Sequence, residues 1–427
     1  MKHYFILIAL FVWTSLLPVQ AQLQKQLESL PYVKKIEALE NSAGFDEKYL
    51  INFEQDLDHA NPKSGNFTQR VFIMHKGYDR PTVMVTEGYS AGRTVNLSFH
   101  NELAQILDAN LVVVEHRYFS ESTPDPINWS YLTVKNSAYD LHRINQTLKK
   151  IYPKKWLSTG ISKGGQTTNF YRAYFPDDVE VSVPYVAPLC YAIEDGRHEP
   201  FLRNFAGTPQ ERKAIEDFQK EVLKRRDRLA PLFEKLCKEK GYKFRAPLEE
   251  IYDFSVLEYP FAFWQWGTPV EQIPSLTASD EDLFDHWMAI SSPDYFISES
   301  GYTSFFVQAA RELGYYGYDT KPFEGLLKIE SSKGYMAKLL LPKAVQDVAF
   351  DRSEYDRVEH FMATTDAKMI SIYGEYDPWT AAAVTNSHSP NALYLVDPKG
   401  SHRARISNLP EELKQQAIET LKAWMLD

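Results

Sequence analysis

Trp156-Leu157-Ser158-Thr159-Gly160-Ile161-Ser162-Lys163-Gly164-Gly165-Gln166 reads as an apolar strand that tightens into a turn and reopens as a helix running through Tyr171 to Tyr174. Gly160, Ser162 and Gly164 fall in the spacing G-x-S-x-G. A serine at the apex of a strand-to-helix turn has its hydroxyl held out above the sheet edge. The flanking glycines remove Cβ atoms that would collide in so tight a bend. The spacing by itself is common, and an ordinary turn can carry it. Its weight here comes from the strand before it and the helix after it, and from an acid and a histidine placed later in the chain.

On the N-terminal side, Thr82–Thr86 and Leu111–Glu115 are short apolar runs bounded by turns, the pattern of strands buried on both faces of a parallel sheet. Asn101 to Leu107 reads as a helix between them, and Lys135 to Ile151 keeps helical spacing through Ala138, Leu141, Ile144 and Leu148. Thr68 to Met74 alternates with period two and is expected to form half of an antiparallel hairpin, behind the turn-rich stretch Asp56 to Pro62. Gln22 to Ala43 is charged and is expected to be helical or loosely packed.

On the C-terminal side, Val179 to Val186 is the next expected strand. The alternation then stops for roughly 150 residues, where a connection of a few residues would be usual. Pro209 to Lys240 reads as one charged helix, with Phe218, Val222, Leu229 and Leu232 on one side. Aromatic-rich helical stretches follow at Tyr259–Trp266, Leu283–Ile290 and Thr303–Leu313. Strands resume at Ala367–Tyr373 and Ala392–Val396, and a helix from Pro410 to Met425 closes the chain, with Glu411 and Glu412 at its positive end. Strand–helix alternation around a long helical break predicts an α/β core with an inserted helical cap.

The core strands also present the partners Ser162 would need. Tyr373-Gly374-Glu375-Tyr376-Asp377-Pro378 lies just past the C-terminal end of an expected strand, where α/β sheets expose catalytic groups. Asp377 is the candidate acid, ahead of Glu375, because Pro378 fixes the loop behind it; Asp366 precedes its strand, at the wrong edge. Lys399-Gly400-Ser401-His402 follows the next strand in the same way and makes His402 the candidate base, whereas His388 precedes that strand. Ser162, Asp377 and His402 stand in the chain order of α/β-hydrolases, and the expected fold is an α/β-hydrolase core with a helical cap. The expected bounds are a signal peptide at 1–21, core at 22–187, cap at 188–347 and core again at 348–427. The oxyanion donors would be the amide of Lys163 and one from the turn Glu87-Gly88-Tyr89, either Tyr89 or Gly88.

Composition narrows the function. The chain has 427 residues, 44% hydrophobic and 14% aromatic, enough for a large core or a core plus insertion. A net charge of −10 argues against nucleic acid as a partner. Lys2 and His3, the apolar run Phe5 to Leu17 and the small-residue end Val19-Gln20-Ala21 read as a secretory signal, too short for a membrane span of about 20 residues. An exported protein starting near Gln22 is expected, with no membrane span after signal removal. Its two cysteines, Cys190 and Cys237, are expected to form a disulfide in that compartment, with two buried thiols as the alternative. No C-x-x-C or H-E-x-x-H spacing suggests a metal, and no cofactor is expected.

Several motifs carry a resemblance. Gln55-Asp56-Leu57-Asp58-His59-Ala60-Asn61-Pro62, Phe67-Thr68-Gln69-Arg70 and Glu115-His116-Arg117-Tyr118-Phe119 resemble the N-terminal motifs of prolyl carboxypeptidase and dipeptidyl peptidase II. Thr159-Gly160-Ile161-Ser162-Lys163-Gly164-Gly165, Tyr373-Gly374-Glu375-Tyr376-Asp377-Pro378-Trp379 and Gly400-Ser401-His402-Arg403-Ala404-Arg405-Ile406 look closer to serine peptidase family 37, the secreted prolyl tri- and tetrapeptidyl aminopeptidases. The resemblance spans nearly the whole mature chain. It implies an α/β-hydrolase core with a helical cap and a serine exopeptidase that cuts short peptides from a free N-terminus.

An aminopeptidase must bind an ammonium, which calls for carboxylates in a cleft. Glu194, Asp195 and Glu199, at the first turn of the cap, are candidates. A solvated acidic loop with Arg197 and Arg203 as local partners is the plainer reading. Trp379 would line a proline-sized pocket, and Phe263, Trp264 and Trp266 either join it or pack in the core. Glu115-His116-Arg117 is either a structural ion network or a substrate contact. The same core and triad would serve an esterase or lipase, and a prolyl carboxypeptidase-like enzyme would need a cation such as Arg197 or Arg203 for the substrate carboxylate.

Overall fold

The protein, seen in a computed structural model, is described over residues 20–385 and 389–426. The expected signal peptide falls outside these residues but for its last two, and so does His388. Nine strands form one sheet in the order β1-β2-β3-β5-β4-β6-β7-β8-β9. They are β1 Val33–Leu39, β2 Glu47–Asp56, β3 Asn66–His75, β4 Thr82–Thr86, β5 Asn110–Val114, β6 Trp156–Ile161, β7 Val181–Tyr185, β8 Lys368–Gly374 and β9 Ala392–Asp397. β1, β2, β3 and β5 pair antiparallel, and from β5 through β4, β6, β7, β8 and β9 every pairing is parallel.

The central strands β4, β5 and β7 are buried at every residue, as the nearly all-apolar runs of β4 and β5 require. Alternate side chains feed two cores. Val83, Val85, Leu111, Val113 and Leu157 face α2 (Glu102–Leu107) and α12 (Glu411–Leu426), while Met84, Val112 and Val114 face α1 (Gln20–Glu28) and α3 (Val134–Leu148). α4 (Lys163–Tyr174) leaves β6 at Ser162 and packs back on the sheet.

Between β7 and β8 the chain adds helices and no strand: α5 His198–Asn204, α6 Pro209–Lys224, α7 Arg226–Lys240, α8 Leu248–Trp266, α9 Asp280–Ser291, α10 Thr303–Gln308 and α11 Ser353–Thr364. α8 is apolar around most of its circumference and buried along most of its length, the axis of an aromatic core. Around it Phe233 stacks on Trp287 at 5.3 Å and Phe261 on Tyr316 at 3.7 Å. Among the described residues no helix is long and apolar enough to cross a membrane.

The structure departs from the expectations in four places. Gln22 to Ala43 is a short helix followed by edge strand β1. A register shift between Val33 and Lys35 breaks its period-two exposure, so the signature of a strand is absent from the sequence. β2 is a full ten-residue strand, its buried start disguised by Glu47 and Lys48, whose side chains meet Tyr49 and Ser42. Pro209 to Lys240 is two helices, not one. The chain bends at Arg225 (φ −85°, ψ 13°), whose guanidinium donates to Glu221, to the carbonyl of Ala278 and to Asp280. Finally, Cys190 and Cys237 are free, buried thiols. Cys190 sits in the connection after β7, against Gly314, while Cys237 continues the Leu229–Phe233 face of α7 into the cap core.

Candidate active site

Ser162 sits between β6 and α4 with φ +57° and ψ −122°, a backbone conformation L-residues rarely adopt. The neighbouring chain enforces it. A Cβ on Gly160 would lie 2.2 Å from the carbonyl oxygen of Gly164 and 2.8 Å from that of Thr86, so strand and helix touch backbone to backbone. Thr86 fastens the contact, its Oγ1 donating to the carbonyl of Gly164 at 3.0 Å and lying 2.7 Å from Thr168 Oγ1. The Ser162 amide donates to Tyr185 on β7 at 2.9 Å, which fixes the turn over the adjacent strand.

The turn after β4 abuts the elbow. A Cβ on Gly88 would meet the Gly164 nitrogen at 2.6 Å and Lys163 Cβ at 2.7 Å, so only glycine allows this approach. The candidate donors Lys163, Gly88 and Tyr89 therefore share one edge, and the Lys163 amide lies in the first turn of α4, where helix amides have no intrahelical acceptor. Buried Glu115 anchors this turn. It accepts from the Ala91 amide at 2.9 Å and Ser90 Oγ at 3.2 Å, and is itself held by Arg70 Nε at 2.9 Å and Ser122 Oγ at 2.8 Å. Arg117, fully buried, donates to both oxygens of Asp140 at 2.6 and 2.7 Å. Glu115 and Arg117 are thus each held in an internal ion pair, and His116 Nδ1 lies 2.7 Å from the Arg117 carbonyl.

Asp377 and His402 come from the loops after β8 and β9. Asp377 is fully buried. One of its oxygens accepts from the Trp379 amide at 3.2 Å, and the other lies 2.7 Å from His402 Nδ1. His402 Nε2 is buried and has no hydrogen-bond partner. The amide of His402 donates to the carbonyl of Gln265, near the end of α8, at 3.0 Å, so a cap helix holds the loop. The rival carboxylates are elsewhere: Glu375 is exposed and accepts from the Lys399 amide at 2.7 Å, and Asp366 is exposed ahead of β8.

Trp379 is buried between core and cap. Its ring lies 6.5 Å from that of His402, 5.4 Å from His198 and 5.1 Å from Phe261, and its Nε1 has no partner. Trp266 stands half exposed 6.1 Å from His402, Trp264 packs on Tyr376 at 5.4 Å, and Phe263 is core.

The three acidic candidates divide. Asp195 is 2% exposed and forms a two-pronged pair with Arg197 at 2.5 and 2.6 Å. Glu194 accepts from the Gly334 amide at 2.6 Å. Glu199 alone keeps a buried carboxylate oxygen, Oε2, without a partner. Burial pushes its carboxyl up from the ordinary range, and the charges of Glu194 and Asp195 add to this. Glu199 lines a cavity of about 300 Å³ in the cap with Phe261, Trp264, Arg212 and Tyr318. A larger cavity of about 430 Å³ lies against Gly160, Arg93 and Arg405, and none of Ser162, Asp377 and His402 lines either cavity.

Two buried polar groups have no counterpart among the residues expected from sequence. Glu258 on α8 accepts from Tyr316 at 2.9 Å and Tyr318 at 2.7 Å, and burial pushes its carboxyl up to about 7. His198 is fully buried with neither ring nitrogen partnered, and burial lowers it to about 4. A single carboxylate within Phe254-Ser255-Val256-Leu257-Glu258-Tyr259-Pro260-Phe261 is a signal available for the first; nothing in the sequence marks the second.

The PS-10 peptidase S37 family matches residues 17–426. The chain belongs to peptidase family S37. This serine peptidase is 30% identical over 419 residues to the prolyl tri/tetrapeptidyl aminopeptidase of Streptomyces mobaraensis, covering 95% of this chain and 85% of that one. It is 27% identical over 157 residues to the lysosomal Pro-X carboxypeptidase of Mus musculus, 33% of this chain and 32% of that one. Among solved structures, the proline iminopeptidase of Mycobacterium smegmatis aligns at a TM-score of 0.39 and 12% identity, over 92% of the peptidase and 99% of that chain.

Proposed function

We propose that this peptidase is an exported exopeptidase that releases peptides of three or four residues from free N-termini through an acyl-enzyme. Ser162 Oγ attacks the scissile carbonyl and His402 takes its proton, then returns it to the departing amine. Asp377, 2.7 Å from Nδ1, fixes the tautomer and stabilises the imidazolium. The amides of Lys163 and of Tyr89 or Gly88 receive the oxyanion. Water then attacks the ester carbon with His402 again as base, giving the released peptide and regenerating Ser162.

The observation that carries the N-terminal reading is Glu199, whose unpartnered buried oxygen belongs to a cluster of three carboxylates in the cap. The Trp379 ring lies 6.5 Å from that of His402 and 5.1 Å from that of Phe261, which lines the cavity of Glu199. The two cations considered for a carboxypeptidase are paired, Arg197 with Asp195 and Arg203 with Asp319, while Arg212 in the same cavity as Glu199 donates to the carbonyls of Ala206 and Gly207. The likeness to a prolyl tri/tetrapeptidyl aminopeptidase supports the same reading, with Trp379 and Trp266 as the aromatic surfaces for a proline ring.

The test compares a free tripeptide substrate with its acetylated form on the wild type and on Glu199→Gln. An ammonium paired with a buried carboxylate is worth about 2–5 kcal/mol, so the variant should lose tenfold or more in kcat/KM on the free peptide only. Equal rates of the wild type on both peptides would reject amine recognition. Discrimination surviving Glu199→Gln would move the amine site elsewhere in the cap.

A further inference from the structure

Lys163 contributes an amide to the oxyanion site, a role that leaves its side chain unexplained. The residue is 3% exposed, and Nζ makes no hydrogen bond. A buried ammonium without an acceptor is costly, and burial pushes this one well below the usual lysine range. A leucine or methionine would fill the same space without that cost, so the amino group has work to do there.

Its surroundings are specific. Nζ lies over two aromatic faces, 5.8 Å from the ring of Tyr89 and 5.4 Å from that of Phe119, a geometry that favours a cation. Tyr89 is on the turn after β4 that carries the second candidate oxyanion donor, and its carbonyl accepts from the His116 amide at 3.1 Å. The other side of the Tyr89 ring belongs to the cap, with Tyr302 at 5.7 Å and Phe305 at 5.6 Å. Lys163 also lines a cavity of about 10 Å³ with His116 and Gln308, and Gln308 Oε1 is likewise buried without a partner. Gln308 closes α10, the helix that bears Phe305.

We propose that the Lys163 side chain is a positioning residue for acyl transfer, holding the Tyr89 turn and its oxyanion donor against the elbow and linking that placement to the seating of α10. The inference rests on the assignment of Ser162 and its oxyanion donors. Lys163 acts through Tyr89: the amino group packed over the ring fixes it, the ring fixes the turn, and the turn aims the amide. Loss of the amino group leaves the Lys163 amide in place and loosens only the second donor.

Lys163→Met keeps the length of the side chain and the backbone amide. Its kcat should fall ten- to a hundredfold on a peptide and on a small ester alike, with KM within about threefold of wild type. A boronate transition-state analogue should lose affinity in step with kcat, which a merely structural role would not produce. Tyr89→Leu should show the same split, and the double variant should be no worse than the worse single one. Wild-type kcat in Lys163→Met, or losses that multiply in the double variant, would overturn the proposal. If Lys163→Met does not fold, Gln308→Leu and Phe119→Leu carry the test, each expected to lower kcat at unchanged KM; normal kcat in both would overturn it. Labelling of wild-type Ser162 by a serine-directed phosphonate keeps the outcomes distinct. Without labelling, the nucleophile assignment fails; with labelling and an unaffected Lys163→Met, only the lysine proposal fails.

Discussion

Glu258→Gln isolates the energetics of the cap core. The Glu258 side chain is 6% exposed and, among the described residues, its oxygens accept only from tyrosine hydroxyls, Tyr316 at 3.0 and 2.9 Å and Tyr318 at 2.7 Å. Burial raises the carboxyl to about 7 against an ordinary 4.5, and the two tyrosines keep it from rising further. The sign depends on which state holds the proton. Below 4.5 folded and unfolded chains both carry it, and the position is neutral to pH. Between 4.5 and 7 the folded chain keeps a proton the unfolded chain releases, so stability falls by about 1.4 kcal/mol per pH unit and levels off above 7 at a loss of about 3 kcal/mol. Glutamine stays neutral, its oxygen can take both tyrosine hydroxyls, and the pH term vanishes. Urea unfolding at pH 5 and pH 8 should therefore show Glu258→Gln gaining about 2–3 kcal/mol on the wild type at pH 8 relative to pH 5. Glu312, also raised to about 7 by burial, is common to both proteins and cancels. A gain of equal size at both pH values, or a loss at pH 8, would refute the buried-carboxyl argument.

Ser162→Ala and His402→Ala should each lower turnover on the order of 10⁶-fold with unchanged circular dichroism, and Asp377→Asn on the order of 10⁴-fold; near-normal turnover in folded Ser162→Ala would remove the nucleophile. Gly160→Ala drives a Cβ into backbone 2.2 Å away and should cost about 3 kcal/mol in unfolding free energy and abolish phosphonate labelling; an unchanged melting curve would deny the strand–helix contact. Thiol titration of unreduced, denatured protein should count two free cysteines, and native alkylation should be slow, because burial raises both thiols, Cys237 to about 11; a linked Cys190–Cys237 peptide in mass mapping would contradict this.

The parallel half of the sheet was legible because β4 and β5 are nearly all-apolar runs, and Asp377 and His402 each follow an expected strand at its C-terminal end. The antiparallel edge was less so: the bulged register of β1 erases the alternation that would announce it. Among the acidic candidates, the plainer reading of a local partner in Arg197 holds for Asp195, but spacing could not reveal that Glu199 keeps a buried oxygen without a partner. The disulfide expectation rested on parity and compartment, and neither reports where two side chains point. His198 is invisible in sequence because its setting is assembled from Phe261, Tyr316 and Trp379, far apart in the chain.

The hydrogen bond from the His402 amide to Gln265 bears on how such enzymes can be rebuilt. The inserted helices are not a cassette that recombination could exchange at two junctions, because the last turn of α8 supplies a main-chain acceptor to the loop of His402, the proposed general base. A chimaera that grafts a foreign insertion onto this core inherits an untethered histidine unless the graft ends a helix at the same spot. Changes of specificity are then more accessible by point substitution within the existing helices than by wholesale replacement, and a chimaera's activity should track whether that one carbonyl is restored.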